Sequence, residues 1–348
     1  MIKTMLEKVL IVGSGMTGAS VAALLRQDFG KAMTISMWDK SRGIGGRMSS
    51  SRSNNDNTNT VDLGAQYISA TPDYHLKHSS YYEELTKAQV LVKLKEDIVG
   101  HQDKEPGTTH YVTPEGCSSL VKYFVNKSEP TIGREYLVKD VSIATDKVNV
   151  TTDDNKCDIF DAVVLTMPVP QILQLQGDIK SLIETKGIKS NLESVSYSSR
   201  FAVGLFYNPD VVLDIPWTAK YITDNSCIRF ISVDNRKRGK DDKTRGHSLC
   251  IHTGAPWGIK NLEMDKDDAA VEILKQLKII LPDLPEPSEI KGHKWRYSQV
   301  HKGYTGSPGC IVLNEKPLII LAGDGFTYSN FDGCLESALA VQNVFAKL

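Results

Sequence analysis

Apolar residues along this chain follow two patterns, and the change from one to the other divides the molecule. Short, dense apolar runs occur at Val9-Leu10-Ile11-Val12, Ile35-Ser36-Met37-Trp38, Ala162-Val163-Val164-Leu165 and Leu318-Ile319-Ile320-Leu321. Such runs suit strands buried on both faces, as in a parallel sheet covered by helices. Residues 19–26 follow the first run with a helix-like pattern, and residues 330–346 follow the last in the same way. Between 171 and 290 the runs disappear. Segments 203–207, 221–223, 228–233 and 248–253 read instead as antiparallel strands, and 269–281 as an amphipathic helix.

The remaining segments fill in around these. Residues 79–94 predict a helix followed by a polar hairpin, 116–124 a second helix, and 136–150 a hairpin turning at Thr145-Asp146-Lys147. The Ser/Asn-rich tract at 49–59 reads as a loop tip, and 61–68 as a short strand containing a glycine. The charged run 235–245 reads as a solvated hairpin tip, because no aromatic residues interleave it as a nucleic-acid surface would require. The expected fold class is α/β, with a Rossmann-type dinucleotide-binding domain interleaved with a smaller α+β substrate domain on an antiparallel sheet. The first comprises residues 1–75, 112–172 and 300–348, the second 76–111 and 173–299.

The chemistry begins where the first run stops, at Gly13-Ser14-Gly15-Met16-Thr17-Gly18. Gly13 allows a tight turn, Gly15 lets backbone approach a pyrophosphate, and Gly18 lets helix and strand pack closely. The anion would then meet the positive end of a helix. Asp39 closes the second strand near the spacing of the acid that accepts ribose hydroxyls. By itself this loop admits NAD as readily as FAD.

Further glycine-rich stretches extend the site. Gly45 and Gly46 allow close backbone approach, and Arg47 offers a fork of donors for phosphate oxygens. Gly64 invites a close neighbour within Asp62-Leu63-Gly64-Ala65-Gln66-Tyr67. Gly323-Asp324 ends the last strand, where Asp324 either approaches a ribityl chain and pyrophosphate or caps the helix that follows.

Composition narrows the classes. Lys and Arg number 41 against 42 Asp and Glu, a net charge of -1 over 348 residues, so no global field steers nucleic acid or an acidic membrane to the protein. The six cysteines are scattered without a Cys-x-x-Cys pair and read as free buried thiols; no metal site is expected. No apolar run approaches the ~20 residues of a bilayer span. Lys3, Lys8 and the first apolar run resemble a short signal, yet that run is the first strand of the nucleotide fold. A cytoplasmic protein is expected, or one secreted without a cleaved signal. Nothing in the sequence sets an oligomeric state.

Taken together, the glycine loop, Gly45-Gly46-Arg47-Met48 and the Asp62 to Tyr67 stretch look like an FAD-binding flavoprotein of the amine-oxidase type. Over its whole length the chain resembles the renalase family. Trp38-Asp39-Lys40, Leu173-Gln174-Leu175-Gln176-Gly177-Asp178, Lys294-Trp295-Arg296 and Ser329-Asn330-Phe331-Asp332-Gly333-Cys334 carry that resemblance further. It implies a non-covalent FAD oxidase, two-domain like the aromatic hydroxylases, acting on 2- and 6-dihydro isomers of NAD(P)H. The products would be NAD(P)+ and, through reoxidation by O2, hydrogen peroxide. It also implies that Thr17, Arg47, Gln66 and Tyr67 contact FAD.

Hydride transfer from a dihydronicotinamide to flavin N5 requires no protein base, so positioning is the protein's main task. Candidate substrate contacts are His252, Trp295 and Tyr221, with Arg200 and Arg229 available for a phosphate or carboxamide. Two rival readings share the cofactor loops. One is a flavin amine oxidase acting on catecholamines, for which Cys310 is the nearest residue to a covalent flavin anchor. The other is an extracellular signalling protein that retains the FAD fold as scaffold.

Overall fold

The dense apolar runs become neighbouring strands of one sheet. The computed structural model describes residues 6–96, 98–103, 105–240 and 246–348. Lys3, positions Asp97 and Lys104 of the polar hairpin, and residues 241–245 of the charged run lie outside them. The fold is mixed α/β, in two units. One comprises Met1–Gly46, Val121–Ser196 and Val300–Leu348, the other Arg47–Leu120 and Tyr197–Gln299.

In the first unit the strand order is Cys310–Asn314, Leu318–Ala322, Ala162–Leu165, Lys8–Val12, Thr34–Asp39 and Thr131–Arg134. All neighbouring pairs are parallel except that of the edge strand Cys310–Asn314. Leu10, Ile11, Val163, Val164 and Ile320 are fully buried. Each such side chain contributes about 1.5–3 kcal/mol by leaving water, and this is why the runs need no alternation. The helix Met16–Phe29 starts directly after Gly15, three residues earlier than the apolar pattern alone predicts. The expected hairpin forms from Val138–Ala144 and Lys147–Thr152 within a four-stranded sheet.

The second unit is built on the strands Ala219–Tyr221, Ile228–Val233, Ser248–Thr253, Ser196–Phe206 and Glu289–Lys302, in that order. Alternation gives the sheet two different faces. Val203, Leu205, Ile231, Leu249 and Ile251 pack with Ala269, Ile273 and Leu277 of the helix Lys266–Ile280. Asp265 caps that helix, its side chain accepting from the amide of Asp267. The opposite face carries Ala202, Phe206, Cys250 and Phe230.

Several expectations change in this unit. The tract 49–59 is not merely a loop tip, because Ser50–Arg52 pairs antiparallel with Thr60–Asp62. The strand expected at 61–68 is interrupted: Thr60–Asp62 and Ile68–Ala70 belong to separate sheets, and 63–67 is irregular. The helix at 79–94 ends at Lys87, with Gln89 in a left-handed conformation (φ 56°). Residues 47–75 and 112–120, grouped from the sequence with the nucleotide-binding part, pack in this second unit. Val61 and Leu63 share a core with Ala202, Phe206 and Cys250.

Candidate active site

The glycine loop lies where the parallel sheet changes direction. From Lys8–Val12 the chain goes first to Thr34–Asp39 on one side and later to Ala162–Leu165 on the other. Such a switch point leaves a crevice at the carboxyl ends of the strands. The glycines have separable duties. A Cβ on Gly13, at φ +112°, would fall 2.5 Å from Thr166 Oγ1. On Gly18 it would fall 2.1 Å from the Gly13 carbonyl, whereas on Gly15 it would meet nothing within 4 Å. Gly13 and Gly18 thus serve the fold, and Gly15 leaves room beside the N-terminus of a 14-residue helix that also contains Thr17. Gly46 comes up against the loop, where a Cβ on it would fall 3.3 Å from Gly15 Cα, and the Gly45 amide donates to Ser14 O at 3.0 Å.

Asp39 accepts from Ser14 N and Ser14 Oγ, both at 2.7 Å, and from Ser41 N at 2.8 Å. The carboxylate therefore braces the loop, and its remaining lone pairs are what a ribose hydroxyl would use. Asp324 is buried behind Gly323 (φ +121°) and accepts from Ser329 Oγ. It does not cap the last helix. Asn330 does so, accepting from Gly333 N at 2.6 Å.

In the second unit His252 and Trp295 meet. His252 Nε2 lies 3.0 Å and Trp295 Nε1 2.7 Å from Leu63 O. A carbonyl only accepts, so His252 carries its proton on Nε2 and leaves Nδ1 as the acceptor. Burial, assisted by the Arg200 charge, lowers its pKa to about 4, so the ring is neutral near pH 7. Cross-strand pairing sets Tyr221, Phe230, His252 and Ala202 in one row, and partners directly opposite in antiparallel strands share a face. The Tyr221 and Tyr67 hydroxyls are 2.6 Å apart. Burial and the neighbouring Tyr221 raise the pKa of Tyr67.

Arg229 lies over the Tyr221 ring at 5.5 Å and donates to Ile222 O at 3.1 Å. Arg200 donates to Gln299 Oε1 at 2.7 Å, and burial lowers its pKa. Arg47 donates to Ser298 O at 3.5 Å and faces the Tyr197 ring at 5.9 Å.

Gln66 exposes a group of residues that the sequence reading missed. Its Oε1 accepts from Lys237 Nζ at 2.8 Å and from Ser232 Oγ at 3.1 Å, and its Nε2 donates to Gly64 O at 3.2 Å. Lysine only donates, which fixes the orientation of the carboxamide. Lys237 also pairs with Asp234 at 2.6 Å, and Arg238 pairs with Asp62 at 2.9 Å and with Asp234. All four charged side chains are buried. The start of the charged run is therefore interior, contrary to the expected solvated tip, because two cations meet two anions there. Burial raises the Asp62 pKa, but the Arg238 and Lys237 charges outweigh it and the net shift is downward. Burial lowers that of Lys237, and Asp234 and Asp62 outweigh it, giving a rise. The legible signal was Asp234 at i,i+3 and i,i+4 to Lys237 and Arg238.

Cys117, Cys227 and Cys250 are buried free thiols, but Cys157 is exposed, because it lies on a strand at the sheet edge. Among the described residues no helix is long and apolar enough to cross a membrane.

A phosphate-ready loop at the switch point of a parallel sheet defines a dinucleotide-binding protein of Rossmann type. Residues 11–85 match the family model of NAD(P)-binding Rossmann-like domains, and residues 100–341 that of flavin containing amine oxidoreductases. Renalase from Mus musculus is 42% identical over 342 residues, covering 98% of this chain and 99% of that protein. A solved structure from Exiguobacterium sp. 255-15, provisionally named a protoporphyrinogen oxidase, superposes with a TM-score of 0.73 at 14% identity. That alignment covers 97% of this chain and 98% of the other, and shows a shared fold. The chain belongs to the renalase family of flavin-dependent oxidoreductases, and its cofactor is FAD.

Proposed function

We propose that the protein oxidises 2- and 6-dihydro isomers of NAD(P)H, using non-covalently held FAD and O2 and releasing NAD(P)+ and hydrogen peroxide. The observation that carries this reading is the state of His252. Its pKa of about 4 makes it a poor base at neutral pH, and its N–H is committed to Leu63 O. A reaction that needs positioning but no proton acceptor suits such a residue.

The chain's own residues fit the cofactor. Gly15 leaves space at a helix N-terminus for pyrophosphate, Thr17 and Gly18 lie in that first turn, and Asp39 keeps lone pairs for a ribose. Gly13 shapes the turn, while Gly46 and Asp324 border the loop and the last strand. Arg47, Gln66 and Tyr67 are proposed cofactor contacts on family resemblance. Because both ends of the Gln66 carboxamide are engaged internally, its contribution would come from the main chain. When bound, FAD supplies the two-electron acceptor for the hydride. His252, Trp295 and Tyr221 would orient the nicotinamide, with His252 Nδ1 accepting from its carboxamide. A cytoplasmic location is part of this proposal.

Anaerobic mixing of the FAD-loaded protein with each dihydronicotinamide isomer or with a catecholamine tests the reading. Bleaching of flavin absorbance by the isomers alone is expected; bleaching by the amine alone overturns it.

A further inference from the structure

His101, Asp103 and His110 converge on one point of the second unit. Asp103 Oδ1 lies 3.1 Å from His101 Nε2 and 2.9 Å from His110 Nε2, and one ligand atom from each residue lies within 4.8 Å of the other two. Around a cation with bonds of about 2.0–2.2 Å, tetrahedral ligand atoms stand about 3.3 Å apart, so small side-chain movements close the set.

The surroundings hold the imidazoles in this arrangement. Ser69 Oγ lies 2.9 Å from His110 Nδ1, and a partner on the outer nitrogen is what orients a metal-binding imidazole. Tyr67 stands edge-on to both rings, at 5.9 Å from His101 and 5.3 Å from His110. Tyr221 stacks on His101 at 5.6 Å with 28° between the planes. His110 is fixed on the strand Thr109–Val112, and the bridge from Val99 to Lys220 anchors the stretch that leads to His101. Both imidazoles reach the same carboxylate oxygen, which has lone pairs for two donors; as ligands, their own lone pairs and the carboxylate would meet at one ion.

We propose that His101, Asp103 and His110 form a three-ligand site for a first-row divalent cation of the zinc type, with its remaining coordination position open to water. Two imidazoles and one carboxylate suit zinc, copper(II) or nickel better than magnesium or calcium, which prefer all-oxygen sets. The site does not depend on the identity of the oxidised substrate.

Calorimetric titration of untagged, chelator-treated, FAD-loaded protein with zinc chloride tests it, alongside His101→Gln, Asp103→Asn and His110→Ala. One ion per chain is expected, with affinity weakened by roughly 100-fold or more on loss of either imidazole and at least tenfold in Asp103→Asn, since outer partners alone are worth about 10–100-fold. Cobalt(II) should give the intense visible bands of a four-coordinate site in the wild type and lose them in His110→Ala. Asp103 is partly exposed, so unchanged melting of Asp103→Asn in the absence of metal separates lost coordination from lost folding. Absence of binding in the wild type, or equal affinity in all four proteins, overturns the site.

Discussion

His252 and Trp295 donate to the same acceptor, the main-chain oxygen of Leu63, at 3.0 and 2.7 Å. The next residue, Gly64, has no space for a side chain, since a Cβ there would lie 1.9 Å from Arg47 O and 3.3 Å from the Trp295 ring. The two ring N–H groups thus grip a stretch that is itself locked against Arg47. The proposed substrate contacts are the ends of His252 and Trp295 that face away from Leu63.

Either donor can be removed while Leu63 O keeps the other, so His252→Ala and Trp295→Phe should each lose only about 0.5–1.5 kcal/mol of stability for the hydrogen bond itself. Positioning should suffer more. A fall in kcat/KM for dihydronicotinamide isomers of roughly 10–100-fold is expected, with the flavin spectrum retained. Stopped-flow reduction at the wild-type rate in both variants would remove these residues from the substrate site.

Acid should destabilise the fold in two separate windows. Burial, with help from Arg200 for His252 and from Lys266 for His293, lowers both pKa values from 6.5 to about 4. Between those values the unfolded chain binds protons that the folded chain refuses. The stability is therefore complete above pH 6.5 and is lost as the pH falls toward 4, by up to roughly 3 kcal/mol per ring. The depressed Asp62 carboxyl acts only below its ordinary value of 3.8, because its folded pKa lies lower still. Melting temperatures from pH 7.5 to 4.5 should fall in the wild type and fall less steeply in His293→Gln. Parallel curves would contradict the assignment.

The buried ion cluster should resist piecemeal change. Lys237→Met leaves Asp62 and Asp234 facing Arg238 alone and removes the donor to Gln66 Oε1. Breaking one partner from a buried pair costs about 3–5 kcal/mol. The double variant Asp234→Asn with Lys237→Met restores charge balance and should be less destabilised than the sum of its single changes. Urea unfolding of the four proteins gives that coupling; strict additivity would mean that the charges do not act together.

The sequence made the first unit legible because its strands are apolar on both faces and its glycine loop stands in a fixed strand-to-helix context. It misread the charged run. Hydropathy assigns Lys237 and Arg238 to solvent, and their burial depends on two anions, Asp234 beside them and Asp62, which pairs with Arg238 from far earlier in the chain. The interruption at Leu63 to Tyr67 was hidden too, since what holds it, donors from His252 and Trp295 to a main-chain oxygen, leaves no mark in side-chain pattern. His101, Asp103 and His110 were equally silent, because a turn and a strand bring them together rather than a repeating ligand spacing.

The glycine loop offers a test in which two neighbouring substitutions should fail differently. Gly15 precedes the helix in an ordinary extended conformation, φ -83° and ψ -170°, and its Cβ direction is open for 4 Å. Gly15→Ala should cost the cofactor-free fold no more than about 1 kcal/mol, the price of a poorer cap, yet place a methyl group in the proposed path of the pyrophosphate. Gly18→Ala drives its methyl to 2.1 Å from Gly13 O, so helix and strand must separate before any cofactor is considered. Melting of the cofactor-free proteins should therefore be near wild type for Gly15→Ala and clearly lowered, by about 2 kcal/mol or more, for Gly18→Ala. Titration with FAD should then show weakened binding in Gly15→Ala despite its intact fold. Wild-type FAD affinity in that variant would mean that the phosphates do not pass over Gly15.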